Sequence, residues 1–284
     1  MAIQWQTLGS EPSLTGLYGK AALHRKITGQ ALPDSGLRCR VNVNSAKLAT
    51  YCKVCRFGET SLLPPTYPHV MAFALQMQLL TDKAFPFPLL GLVHLHNRIH
   101  VVRPLGGLGS VDISVHVQNL QPHAKGATFD LITRLDDGMG ALWEETSTML
   151  CRGAKVPGEP PAEIHNAELP LVEARRWYAG KEAGRQYARV SGDYNPIHLS
   201  ATTAKLFGFP QAIAHGMWLK AMSMAALREH LPMAGYEIAV QFHKPVRLPS
   251  EIVLSASSAK AAGQMKLEGH GELVHMTGSW ETVL

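Results

Sequence analysis

Asp193 and His198 stand five residues apart in Ser191-Gly192-Asp193-Tyr194-Asn195-Pro196-Ile197-His198. An Asp alone is a poor base at neutral pH, because its ordinary pKa lies near 4. Beside a His in a site that excludes water, the two can share one water, one accepting a hydrogen bond while the other takes up and returns a proton. Asn195 can orient the loop or the water through its amide. Pro196 fixes φ and starts the short turn that brings His198 back toward Asp193. The same residues also make a good turn on conformational grounds alone. A second feature follows about twenty residues later, where Ala212-Ile213-Ala214-His215-Gly216-Met217 opens an apolar stretch. A Gly at a helix N-terminus lets a carbonyl approach its N–H, and the helix dipole favours an anion there. An acid/base pair with such a donor suits the addition of water to, or its removal from, a conjugated thioester, where the N–H holds the enolate oxygen.

The elements that must position these residues can be read coarsely. Ser200 is a good N-cap for a helix over 201–207, stopped by Gly208 and Pro210. Residues 216–228 predict a helix apolar on nearly every face, and so buried. A strand over 169–172 and a helix over 174–190, weakened at Gly180 and Gly184, precede the Asp193 turn. Four strands, over 237–243, 252–258, 265–270 and 273–282, complete the chain.

The first half repeats this plan. A helix over 14–27, a strand over 38–43 and a stretch 45–56 of either type lead to a second all-apolar helix over 69–80. Strands over 92–102, 111–117, 129–135 and 142–151 follow, with Asp136-Asp137-Gly138 as a hairpin turn. Arg98 lies 29 residues after His69, and Lys244 lies 29 after His215. Helix type, strand count and register together predict an internal repeat. The expected fold class is α+β, each half an antiparallel sheet wrapped around one buried helix. We expect a first domain over 1–155, a Pro- and Glu-rich linker over 156–170 and a second domain over 171–284. The first half has no Gly-Asp-x-Asn-Pro-x-His, so one active site per chain is expected.

Bulk properties narrow the classes further. The 284 residues are 46% hydrophobic and 17% charged, an ordinary globular balance that can bury a large core. The net charge is +5, yet no Lys/Arg run exceeds two residues, which argues against a nucleic-acid tail and leaves an anionic small ligand compatible. The longest apolar stretch is too short for a bilayer, and residues 1–16 lack a secretory pattern, so a cytoplasmic protein is expected. Cys52-Lys53-Val54-Cys55 has no zinc-finger counterpart and reads as two small buried hydrophobes. His94, His96 and His100 share one strand face without a local carboxylate or Cys, which reads as a polar face rather than a metal site.

The stretch from Ser191 to His198, with Ala212 to Met217, resembles the hydratase-2 motif of the MaoC-like dehydratases, the (R)-specific enoyl-CoA hydratases. The match is dense over about thirty residues. The resemblance implies a double hot-dog fold with a degenerate first half, and reversible hydration of trans-2-enoyl thioesters to (R)-3-hydroxyacyl thioesters. It implies Asp193 and His198 as the catalytic pair, Asn195 as their support and the Gly216 N–H as the oxyanion donor. His215 and Tyr194 are candidates for substrate binding. Lys244 and Arg247 are candidates for coenzyme A phosphates, with Arg98 and Arg103 behind them. No metal and no cofactor is implied, since coenzyme A is part of the substrate; an acyl-CoA or acyl-carrier-protein thioester is the partner, and a homodimer is expected. A dehydratase acting on 3-hydroxyacyl-carrier-protein substrates, a non-catalytic thioester-binding protein and a hot-dog thioesterase stay open beside it.

Overall fold

The computed structural model describes residues 2–58, 61–161, 169–258 and 261–283. In chain order it builds β1 (Gln4–Leu8), α1 (Leu14–Leu23), β2 (Ser35–Asn42), α2 (Ser45–Cys55), α3 (Tyr67–Leu80), β3 (Leu92–Val101), β4 (Ser110–His123), β5 (Gly126–Asp136) and β6 (Ala141–Arg152). The second half adds β7 (Val172–Ala179), α4 (Ala183–Ser191), α5 (Ala201–Lys205), α6 (Gly216–Ala226), β8 (Tyr236–Phe242), β9 (Ser250–Ala256), β10 (Ala262–Glu268) and β11 (Val274–Thr282). Residues 162–168 of the expected linker lie outside the described residues.

Two compact units divide the chain, and they interleave along the sequence. The first comprises residues 1–43, 71–97 and 108–166; the second comprises 44–70, 98–107 and 167–284. In the first, strands run in the order β1-β2-β4-β5-β6-β3, with β1 parallel to β2 and β4, β5 and β6 antiparallel. The expected hairpin at Asp136 joins β5 to β6, with Gly138 at φ 90° and its N–H donating to the Asp136 carboxylate. This unit's core is partly polar: Asn97 donates to Glu145 and Ser147, and Gln76 to Thr133, all of them buried.

In the second unit the order is β8-β11-β10-β9-β7, all antiparallel. α6 is buried at every position from Met217 to Ala225, as its lack of a polar face requires. α2 belongs to this unit although it lies in the first half of the sequence. The ambiguous stretch 45–56 is thus helical: Asn44 caps it by accepting from the Lys47 N–H, and Arg56 ends it in the left-handed conformation. Trp218 of α6 donates to the Val54 carbonyl at 3.3 Å. Cys52 and Cys55 sit on α2 as free thiols; Cys55 is fully buried, as expected of a packing residue, while Cys52 is only half-buried. On β3, His94, His96 and His100 alternate with the buried Asn97 and Ile99, so their face is the exposed or half-buried one.

One expectation needs correction, and one strand had no reading in the sequence. The helix over 174–190 is in fact a strand followed by a helix, β7 and α4. Glu, Ala and Arg favour a helix locally, but Trp177 and Ala179 alternate into the core and β7 pairs along β9, so sheet pairing overrides propensity. β1, which pairs with β2, carries no clear periodicity in sequence and was missed.

Candidate active site

The Asp193 turn is built by a chain of local hydrogen bonds. α4 ends at Ser191, and Gly192 takes φ 84°, a left-handed cap that Gly adopts without strain, with its N–H on the Ala188 carbonyl. The Asp193 N–H then donates to Ser191 Oγ at 3.1 Å, and the Asn195 N–H to Asp193 Oδ1 at 3.1 Å. Asn195 caps the single 3-10 turn Pro196–His198, accepting from the Ile197 N–H at 3.4 Å and, through its carbonyl, from the His198 N–H at 3.0 Å. Asn195 therefore holds the turn, the first of the two roles its amide could play.

Long-range contacts fix the other end. The Ile213 N–H donates to Ile197 O at 3.1 Å, and the Ile213 carbonyl accepts from His198 Nδ1 at 2.8 Å. The tautomer is thereby set: Nδ1 carries the proton and Nε2 keeps its lone pair. Thr203 on α5 donates to Pro196 O at 2.7 Å, and Arg185 on α4 to Leu199 O at 2.8 Å. α4 lies so close that a Cβ on Gly184 would stand 2.0 Å from the His198 carbonyl oxygen. The sequence reads Gly184 as a weak point in a helix; its purpose is this approach.

His215 N-caps α6, and Gly216 is its first residue. The Gly216 N–H has no acceptor within the helix, as at every helix start. The His215 and His198 rings stack at 3.6 Å, with an interplanar angle of 25°. A carboxylate oxygen of Asp193 and one ring nitrogen from each His lie within 4.8 Å of one another. Three such donors are a conceivable cation set, but His215 Nε2 is engaged by the Asp193 main-chain carbonyl at 3.0 Å.

The electrostatics separate the two partners. Burial pushes the Asp193 pKa up, but the imidazoles of His215 and His198, the Asn195 N–H and His69 outweigh it and bring it below the usual value. Burial lowers the His198 pKa, and the Asp193 charge and the Ile213 carbonyl offset this only in part. Burial, then the neighbouring His198, depress His215 to about 3. At neutral pH the site thus holds one carboxylate and two neutral imidazoles. His69, in the first turn of α3, had not been picked out for the site; the 29-residue register that aligns it with His215 was the signal.

Tyr194 is 43% exposed beside Asp193. Lys244 and Arg247 are exposed beyond β8, and the Arg247 backbone bridges to Ile213, which places that residue next to the strap that holds His198. A cavity of about 200 Å³ lies at the far, C-terminal end of α6, lined by Phe57, Leu62, Leu63, Met224, Arg228 and Tyr236 among others; none of the catalytic candidates reaches it.

A Cβ on Gly216 would meet the Phe242 ring at 3.0–3.2 Å. Gly216→Ala keeps the N–H but forces that ring to give by a few tenths of an ångström. We expect kcat/KM to fall about tenfold, a barrier change of about 1.4 kcal/mol. Adding Phe242→Leu is expected to restore most of it, as steady-state kinetics on the single and double variants would record.

An antiparallel sheet around a buried helix, with an Asp/His pair at that helix's N-terminus, defines a hot-dog protein with a hydratase-type site. The MaoC like domain model matches residues 155–276. 3-Hydroxyacyl-thioester dehydratase X of Mycobacterium tuberculosis is 34% identical over 229 residues, 80% of this chain and 78% of that protein. Peroxisomal enoyl-CoA hydratase 2 of Arabidopsis thaliana is 27% identical over 161 residues, 48% of each chain. The crystal structure of HtdX from M. tuberculosis superposes with a TM-score of 0.77 at 30% identity, covering 87% of this chain and all of that one. The chain belongs to the MaoC-like dehydratase family of hydro-lyases and has its hot-dog fold. Among the described residues, no helix is long and apolar enough to cross a membrane.

Proposed function

We propose that the chain catalyses the reversible addition of water to trans-2-enoyl thioesters of coenzyme A, giving (R)-3-hydroxyacyl thioesters. The observation that carries this reading is the Asp193–His198 pair at the start of α6, with His198 Nδ1 tied to the Ile213 carbonyl and Nε2 left as the base. In the hydration direction the Asp193 carboxylate accepts one water hydrogen and fixes the water. His198 Nε2 takes the other proton as the water oxygen bonds to C3. The C2–C3 π electrons move to the thioester, and the enolate oxygen is held by the Gly216 N–H, a contribution of about 2.7–4 kcal/mol for one such donor. His198 then returns its proton to C2. One water enters, no electrons are exchanged, and the balance calls for no redox cofactor and no metal. Water delivered to one face of the alkene gives a single enantiomer, and the resemblance to the (R)-specific hydratases assigns the (R) product.

Crotonyl-CoA tests the reading, with enoyl absorbance and free thiol followed together. Loss of enoyl absorbance with no thiol release is expected. Thiol release would assign a thioesterase instead, and the absence of both changes would defeat the reading. A chiral assay of the 3-hydroxy product tests the stereochemistry.

A further inference from the structure

We infer that His215 is a positioning residue for the acid–base pair: its Nε2–H holds the main-chain carbonyl of Asp193 and so fixes where the carboxylate points. The inference rests on the reading of Asp193 and His198 given above.

The geometry is specific. His215 is 2% exposed. Its Nε2 lies 3.0 Å from the Asp193 carbonyl oxygen and 3.7 Å from the carboxylate Oδ2. A carbonyl accepts, so Nε2 carries the hydrogen, and Nδ1 is left as a lone pair. Nδ1 is buried and has no hydrogen-bond partner among the described residues. The ring's one hydrogen bond is therefore spent on the Asp193 backbone. Packing holds the ring in place: it stacks on His198, and the Tyr187 ring lies 4.9 Å away on α4. As the residue before Gly216, His215 ties the oxyanion end of α6 to the Asp193 turn, 22 residues earlier in the chain. Without this bond the carbonyl of Asp193 would be held only through its neighbours in the turn.

An imidazole suits this post better than a cationic donor would. A permanent positive charge 3.7 Å from the carboxylate would weaken it as an acceptor and repel His198 whenever that ring took up a proton. A buried, neutral His donates the bond without the charge.

Two substitutions separate the bond from the packing. His215→Phe keeps an aromatic ring against His198 and loses the donor. His215→Gln loses the ring but keeps an amide N–H at about the reach of Nε2. With crotonyl-CoA we expect the Phe variant to lose about 10- to 100-fold in kcat, with KM changed less than about threefold, because a small misplacement of a reacting group is costly while binding is untouched. The Gln variant is expected to recover to within about fivefold of the parent. The Asp193 amide resonance and the His198 ring titration, followed by NMR in the same proteins, should shift in the Phe variant and return in the Gln variant. That readout needs no turnover, so it stands even if the parent protein fails to hydrate crotonyl-CoA and the functional reading falls. Normal kcat and an unmoved Asp193 resonance in the Phe variant would overturn the inference. So would a loss in the Gln variant larger than that in the Phe variant, which would assign the effect to packing, since the Phe keeps the ring and the Gln keeps the donor.

Discussion

Asp193→Asn and His198→Gln are each expected to lower kcat by about 10²–10⁴ while the fold persists. The Asn keeps an oxygen that can still accept from the Asn195 N–H, so the turn survives, and only the charge that fixes the water is lost. The Gln removes the basic nitrogen and the bond to the Ile213 carbonyl, but α5 and Thr203 still hold the turn at Pro196. Circular dichroism and melting curves close to the parent's would show that the loss is chemical. The pH profile gives a second check. His198 acts as base only while neutral, and burial holds its pKa below the ordinary imidazole value of about 6.5, with Asp193 and His215 the titratable groups against it. A depressed pKa extends the neutral form to lower pH. In the hydration direction kcat/KM should therefore stay level from neutrality through about 6.5 and fall only below it. A limb at or above 6.5, or near-normal turnover in both variants, would sink the assignment of roles.

Local chemistry was legible in the sequence wherever neighbours in the chain decide the outcome. Ser200 caps α5 through the Thr203 N–H, Gly216 opens α6, and the apolar faces of α3 and α6 announced two buried helices. The Asp193 turn was readable for the same reason, since the hydrogen bonds that build it locally span two to four residues. What escaped is decided at a distance. The strand β7 reads as helix until β9 supplies its partner. The tautomer of His198 depends on Ile213, fifteen residues on, and the post of His215 on a carbonyl of the earlier turn. α2 packs with α6 across more than a hundred residues of chain, through Trp218 and Val54. No periodicity reports such pairings, because each partner's pattern is satisfied by more than one tertiary arrangement.

Gly184→Ala joins these two levels, and its expected effect is large. On helix propensity alone the change should stabilise, since Ala is favoured over Gly by up to about 1 kcal/mol in a helix interior. The structure reverses the sign. The new Cβ would stand 2.0 Å from the His198 carbonyl oxygen and 3.0 Å from its carbonyl carbon, both backbone atoms that no rotamer change can move aside. α4 and the 3-10 turn must part by about 1 Å or more to restore contact distance, and such overpacking costs typically 1–3 kcal/mol, more than propensity returns. The displaced carbonyl belongs to His198, the proposed base, so the strain falls on its Nε2. A shift of about 1 Å at a reacting group is worth about 10² in rate. We therefore expect a lower melting temperature together with a loss of about 10² or more in kcat. Gly180→Ala is the control: its Cβ would meet only the Tyr178 ring, at an ordinary 3.9 Å, and both stability and turnover should stay near the parent's. If Gly184→Ala instead raised the melting temperature with kcat intact, the close approach of α4 to His198 would be wrong, and with it the account of how this helix sets the proposed base.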